Sequence, residues 1–166
     1  MKAYSTFFKQ QVLQESVLHG PRPNPTFRNP SFAEAEYRVL IVRLSPFRDV
    51  ERSTPHLFLA QEVRRALPEA YIDMAFFPLQ YDRARIEEAG VSLLTGIQSY
   101  NGMGEADMTH PADTNHPADT NRPFDVVLIS NAYTLELVNL PYMLLNAEVP
   151  LLASQRDETW PLFILG

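Results

Sequence analysis

The 166-residue chain contains no cysteine. Disulfides, thiolate metal sites, iron–sulfur clusters and cysteine nucleophiles are therefore excluded within it. A chain without cysteine also fits a reducing compartment. Glycine is scarce at critical places. None follows the first apolar run, where Ser45-Pro46-Phe47-Arg48-Asp49 stands instead of a glycine-rich phosphate or dinucleotide loop. No serine-based nucleophile elbow is present either. Long apolar runs are missing: nothing approaches the ~20 residues that a membrane span needs. Phe7-Phe8 gives way at once to Lys9, Gln10 and Gln11, too short an apolar stretch for a signal peptide. The expectation is a cytoplasmic protein without membrane contact. Positive charge is in deficit, with 14 Lys and Arg against 20 Asp and Glu and a net charge of −6. Such a balance disfavours nucleic-acid binding through bulk electrostatics. Arg22, Arg28, Arg38 and Arg43 are spread over a linker and a strand and read as solvated charge.

What is present is an alternation of apolar runs and amphipathic stretches. Residues 4–18 carry a modest helical stripe, and His19-Gly20-Pro21 ends it. Pro21, Pro23, Pro25 and Pro30 then mark an extended linker. Residues 1–31 are thus a helix and proline-rich linker, and residues 32–166 the main domain. Tyr37–Leu44 is a near-continuous apolar run with β-branched residues, the mark of a strand buried on both faces of a parallel sheet. Thr54-Pro55 announces a helix, with Leu57, Leu59, Ala60, Val63, Ala66 and Leu67 on its buried side and Pro68 as its stop. A second strand is expected over Ala70–Phe77, then a short charged helix over 81–89 closed by Gly90. Val91–Leu94 fits a short strand or a helix start.

Residues 101–122 interrupt the pattern. His110-Pro111-Ala112-Asp113-Thr114-Asn115 recurs as His116-Pro117-Ala118-Asp119-Thr120-Asn121. Two polar copies are too few for a repeat fold, so the expectation is a disordered inserted loop. The domain resumes with the strand Phe124–Ser130. A helical region from Leu135 to Asn146 is kinked or restarted at Pro141. Pro161–Gly166 reads as a last buried strand. A crossover helix normally follows such a strand, so the native polypeptide is expected to continue past a domain truncated at its C-terminal end.

In open parallel sheets, ligands lie beyond the carboxyl ends of the strands. Ser130, Asn131, Tyr133 and Thr134 follow one such end and offer hydroxyls, an amide and a helix N-terminus, suited to an anion or a polar cofactor edge. The plainer reading is that Ser130 ends a strand and Thr134 caps a helix. Asp49 and Glu51 stand where a metal carboxylate or phosphoacceptor would, but they have no evident second ligand. His19 suits a helix C-terminus, and His56 is expected to be partly buried. His110 and His116 lie in the duplication, a poor cage for a metal.

One resemblance reaches further. Phe124-Asp125-Val126-Val127-Leu128-Ile129-Ser130, Tyr133-Thr134-Leu135-Glu136-Leu137, Asn139-Leu140, the segment Met143–Leu151, Arg156-Asp157-Glu158-Thr159 and Pro161–Gly166 resemble the N-terminal domain of multidomain radical S-adenosylmethionine proteins, a domain related to cobalamin-binding domains. The resemblance implies an α/β, Rossmann-like or flavodoxin-like three-layer sandwich with a mostly parallel sheet. It implies that Ser130 and Gly166 line the nucleotide tail of a cobalamin. It also implies that an iron–sulfur cluster, S-adenosylmethionine and a partnering radical domain belong downstream in the same polypeptide. The chain departs from the axial-histidine pattern Asp-x-His-x-x-Gly, since Asp49-Val50-Glu51-Arg52-Ser53-Thr54 lacks both His and Gly and His56 is out of register. A corrinoid would then be held without a protein axial ligand. Two competing expectations stand beside this one: a cofactor-free Rossmann-like docking module, and a small flavodoxin-like enzyme or receiver domain, for which no acidic cluster is convincing.

Overall fold

A computed structural model of the chain describes residues 29–46, 54–88, 90, 92–96 and 124–166. The expected N-terminal helix, most of the proline linker, Asp49, Glu51, His19 and the duplicated loop with His110 and His116 lie outside the described residues.

Four strands form one sheet: β1 (Arg38–Arg43), β2 (Tyr71–Phe76), β3 (Val126–Ser130) and β4 (Leu162–Leu165). All neighbours are parallel, in the order β2-β1-β3-β4. The apolar runs near 40, 74, 127 and 163 therefore lie side by side and point one way. The chain moves outward from β1 to β2 and then returns to place β3 on the other flank of β1. That reversal creates a topological switch point between β1 and β3, where parallel sheets leave a crevice. The arrangement is α/β and Rossmann-like, with helices on both faces.

Strand periodicity sorts the core into two layers. Val39, Ile41 and Ile72 face α1 (Pro55–Ala66) and meet Ala60, with Leu59, Val63 and Leu67 packed alongside. Leu40, Val42, Ala75, Val127 and Ile129 face the other way and meet Ile86 of α2 (Gln80–Glu88) and Met143 of α3 (Leu140–Asn146). Each fully buried aliphatic side chain there contributes about 1.5–3 kcal/mol relative to exposure. Two residues assigned to the buried side of α1 depart from it: Leu57 and Ala66 are exposed, while His56 is buried. The first turn of α1 thus packs through its imidazole, which meets the Phe76 ring edge-on at 5.5 Å between centroids.

The helical region before β4 restarts at proline. A 3-10 helix over Thr134–Asn139 gives way to α3, whose first turn holds Pro141, where its missing N–H leaves no helical bond unmade. Glu148 then takes a left-handed φ of 57°, a position usually given to glycine. Gly90 stands just past α2 with φ 60°, as its role of helix stop requires. Leu93 and Leu94 lie in a turn, neither strand nor helix. Gly96 has a steric reason to be glycine: a Cβ there would come within 2.1 Å of the Asp73 carboxylate. On the α2–α3 side, the Arg83 guanidinium lies over the rings of Phe77 and Tyr142, and the Tyr142 hydroxyl donates to Glu87. Burial and that carboxylate push the Tyr142 phenol up to about 12.

The last strand departs from expectation. It pairs with β3 as foreseen, but among the described residues its side chains are not buried. Leu162 is 60 % exposed and Ile164 is 47 % exposed. Both point to the face that carries α1, yet the residues of α1 packed there serve Val39, Ile41 and Ile72 rather than β4. No described helix is long and apolar enough to cross a membrane.

Candidate functional site

The carboxyl ends of β1, β3 and β4 form one rim. Register brings Phe76, Arg43 and Ser130 abreast across β2, β1 and β3. The Asn131 amide donates to the Gly166 carbonyl at 2.9 Å, and the Gly166 amide donates to Ile129 at 3.1 Å. Of the residues singled out from sequence, Ser130, Asn131 and Gly166 therefore stand together at the switch-point rim. Tyr133 and Thr134 lie further out on the surface, Tyr133 at 71 % exposure. Thr134 does not cap a helix: the 3-10 helix has no side-chain cap.

The centre of this rim holds a side chain that sequence reading placed in solvent. Arg43 is fully buried, with 0 % exposure, so its assignment as solvated charge is corrected; Arg38 is buried too, at 7 %. The reason is register. Arg43 follows Val39 and Ile41 on the face of β1 that α1 covers, so the last residue of an inward-pointing row is carried inside. Arg38 sits at the opposite end, donating through Nε to the Phe32 carbonyl and lying over the Phe32 ring at 4.8 Å.

Burying Arg43 requires a counter-charge, and the 3-10 helix supplies it. Arg43 Nη2 donates to Glu136 Oε1 at 3.3 Å, and Nη1 donates to the Ser130 hydroxyl at 3.1 Å. Ser45 donates its hydroxyl to the same Glu136 oxygen at 2.5 Å. The second carboxylate oxygen accepts the Ala132 backbone N–H at 3.2 Å. Asn139 adds a second tie from the 3-10 helix, donating to the Leu44 carbonyl at 2.8 Å. Glu136 therefore closes the turn that a Thr134 cap was expected to close, and it does so from inside. The signal was available in principle. A charged residue ending a two-sided buried strand needs a partner of opposite sign, and Glu136 is the acidic residue in the turn after β3.

His56 stands on the same face, in the first turn of α1. Burial lowers its pKa below 6.5, and the Arg43 charge lowers it further. It is a neutral imidazole beside a buried cation, and its Nδ1 has no partner among the described residues; the same holds for Arg43 Nε and Asn131 Oδ1. Among the described residues, no group of three or more His, Asp or Glu is placed to hold a metal ion.

The cofactor that the resemblance implies is a cobalamin. A nucleotide tail lined by Ser130 would need the serine hydroxyl and the space behind it. Ser130 is 3 % exposed, and its hydroxyl accepts from Arg43. The space is filled by the guanidinium and by Glu136. His56 is buried against Phe76 and is not presented to a corrin at the surface. The rim does not fit a corrinoid held by its tail. An iron–sulfur cluster has no thiolate here to hold it. What the group of Arg43, Ser130, Ser45 and Glu136 does is structural: it neutralises a buried charge and fastens the β3–α3 turn to β1. No family model, no curated protein and no solved structure matches the chain.

Proposed function

We propose that this chain is an accessory Rossmann-like domain of a radical S-adenosylmethionine protein, and that it works as a cofactor-free docking module. The partner in this reading is the radical domain of the same polypeptide. The family part of the proposal rests on the sequence resemblance of residues 124–166. The docking part rests on one observation: β4 exposes Leu162, Ile164 and Leu165 to solvent. Parallel strands are ordinarily covered on both faces, so in this reading the uncovered apolar strand is a surface that the partner domain completes. Leu135 and Val138 on the 3-10 helix are exposed as well. The test is calorimetric titration of this chain with the separately expressed radical domain. Binding that Ile164→Glu weakens more than about tenfold, a change of ~1.4 kcal/mol, is the expected result. No heat of binding at high micromolar concentration would end the docking reading.

A second reading, a corrinoid holder, is favoured by the meeting of Ser130, Asn131 and Gly166 at the switch point. In this reading the corrinoid lies across the rim, since Arg43 and Glu136 occupy the space behind Ser130. Hydroxocobalamin titration checks it. A saturable shift of the visible bands supports the holder, and an unchanged spectrum leaves the docking module alone.

A further inference from the structure

We infer that the switch-point crevice between β1 and β3 is sealed by the chain's own Arg43–Glu136 pair, so that whatever meets this rim lies across it and does not insert between the strands. The inference stands on the cluster itself and needs neither reading of function. Arg43 is fully buried, and its guanidinium bridges β3 and the 3-10 helix through Ser130 and Glu136. Glu136 spends both oxygens within the chain, on Arg43, Ser45 and the Ala132 amide. A ligand entering behind Ser130 must push out one member of the pair and strand the other as a buried charge. That penalty lowers affinity by more than about a hundredfold. The rim next to it is different. Around Gly166 nothing among the described residues lies within 4 Å of where a Cβ would stand. The rim is therefore closed at β1/β3, while Gly166 itself is exposed.

The absence of cysteine makes the test clean, because one introduced thiol is the only thiol. Ser130→Cys is close to isosteric and places a thiol in the seal, while Gly166→Cys places one at an exposed position. Reaction of the folded full chain with an aromatic disulfide is followed for both. The Ser130→Cys thiol is expected to react at least about a hundredfold more slowly, with the difference lost in urea. Equal rates, in a variant that still unfolds cooperatively, overturn the seal. A second measurement uses the unaltered chain, titrated with hydroxocobalamin and with cobinamide, which lacks the nucleotide tail. Dissociation constants within about threefold of each other support the seal and the corrinoid reading together. No binding of either supports the seal and removes the corrinoid reading. Cobalamin binding more than about tenfold tighter than cobinamide overturns the seal and keeps the corrinoid reading.

Discussion

The two edge strands, β2 and β4, are built from similar apolar material and meet opposite surroundings. In β2, Tyr71, Ile72, Asp73 and Ala75 are buried. In β4, Leu162, Ile164 and Leu165 are exposed. Position at the edge of a sheet does not make this difference, since both strands hold it. Cover does. α1 packs on one face of β2, and the layer around Ile86 packs on the other. Even the open backbone edge of β2 is occupied: the Asn29 side chain donates to the Ile72 carbonyl at 2.7 Å and accepts the Ile72 amide at 3.1 Å. That amide imitates a neighbouring strand for one residue, and Arg64 holds it in place with a 2.7 Å bond to its oxygen. Blocking an edge in this way is how sheets avoid unwanted pairing. Nothing comparable protects β4 among the described residues. One half of the sheet is covered, and the other leaves its apolar side chains exposed among the described residues.

The largest effect is expected on the border between these halves. Glu136→Ala leaves Arg43 buried without its counter-charge and frees the Ala132 amide. The loss of stability should be about 3–5 kcal/mol, the usual cost of breaking a buried pair by removing one partner. Urea unfolding measures it, as a lower midpoint with an unchanged slope. Replacing both partners together, Arg43→Met with Glu136→Leu, should cost far less, because no charge is then stranded. A single variant as stable as the parent would mean that Arg43 reaches water, and the closure of the rim at β1/β3 would fall.

Much of the fold was legible in the sequence. Continuous apolar runs mark parallel strands because both faces must be covered, and β1, β2, β3 and β4 all fall within the expected runs. Their shared direction follows from the helices between them. Gly90 and Pro141 were legible because each has one strong backbone preference. The site was less so. Ser130, Asn131 and Gly166 were found together because strand ends converge in this topology. Arg43 was missed because residue type suggests solvent, and only register reveals that it shares a face with Val39 and Ile41. Glu136 was missed for the same reason: its partner is 93 positions away. The exposure of β4 was also illegible. An apolar run reports that a strand requires cover, and it does not report which polypeptide supplies it.

The second effect is a pH dependence seated in the covered half. His56 is buried, with a pKa held below 6.5 by burial first and by Arg43 second. Above 6.5 the imidazole is neutral in both folded and unfolded chains, and its contribution is constant. Below 6.5 the unfolded chain takes up a proton that the folded chain resists. Stability must therefore fall as pH drops from 6.5 toward the lowered native value. Urea midpoints between about pH 5 and 7.5 should show this decline, before most carboxylates titrate. His56→Gln keeps a polar side chain without the titration and should flatten that limb. An undiminished decline in the variant would place the acid sensitivity elsewhere and leave His56 a packing residue only.

The smallest effect falls on the exposed half and is the sharpest test of the comparison. Ile72 and Ile164 are the same residue type, each on an edge strand, each facing the α1 side of the sheet. Truncating the buried Ile72 to alanine removes three methyl or methylene carbons from a packed layer and should cost about 2–5 kcal/mol. Truncating Ile164 removes the same atoms from a side chain that is 47 % exposed, so its cost in the isolated chain should stay under about 1 kcal/mol, as for surface changes. Paired urea titrations decide between the two. Equal costs would mean that Ile164 is covered in solution, by a second copy or by a segment of this chain, and dilution separates these cases because only self-association depends on concentration. Unequal costs that become equal when the proposed partner domain is added would mark the surface that domain completes. In that outcome the exposed residues of β4 are a binding site, and the asymmetry between the edges is the domain's means of joining its neighbour.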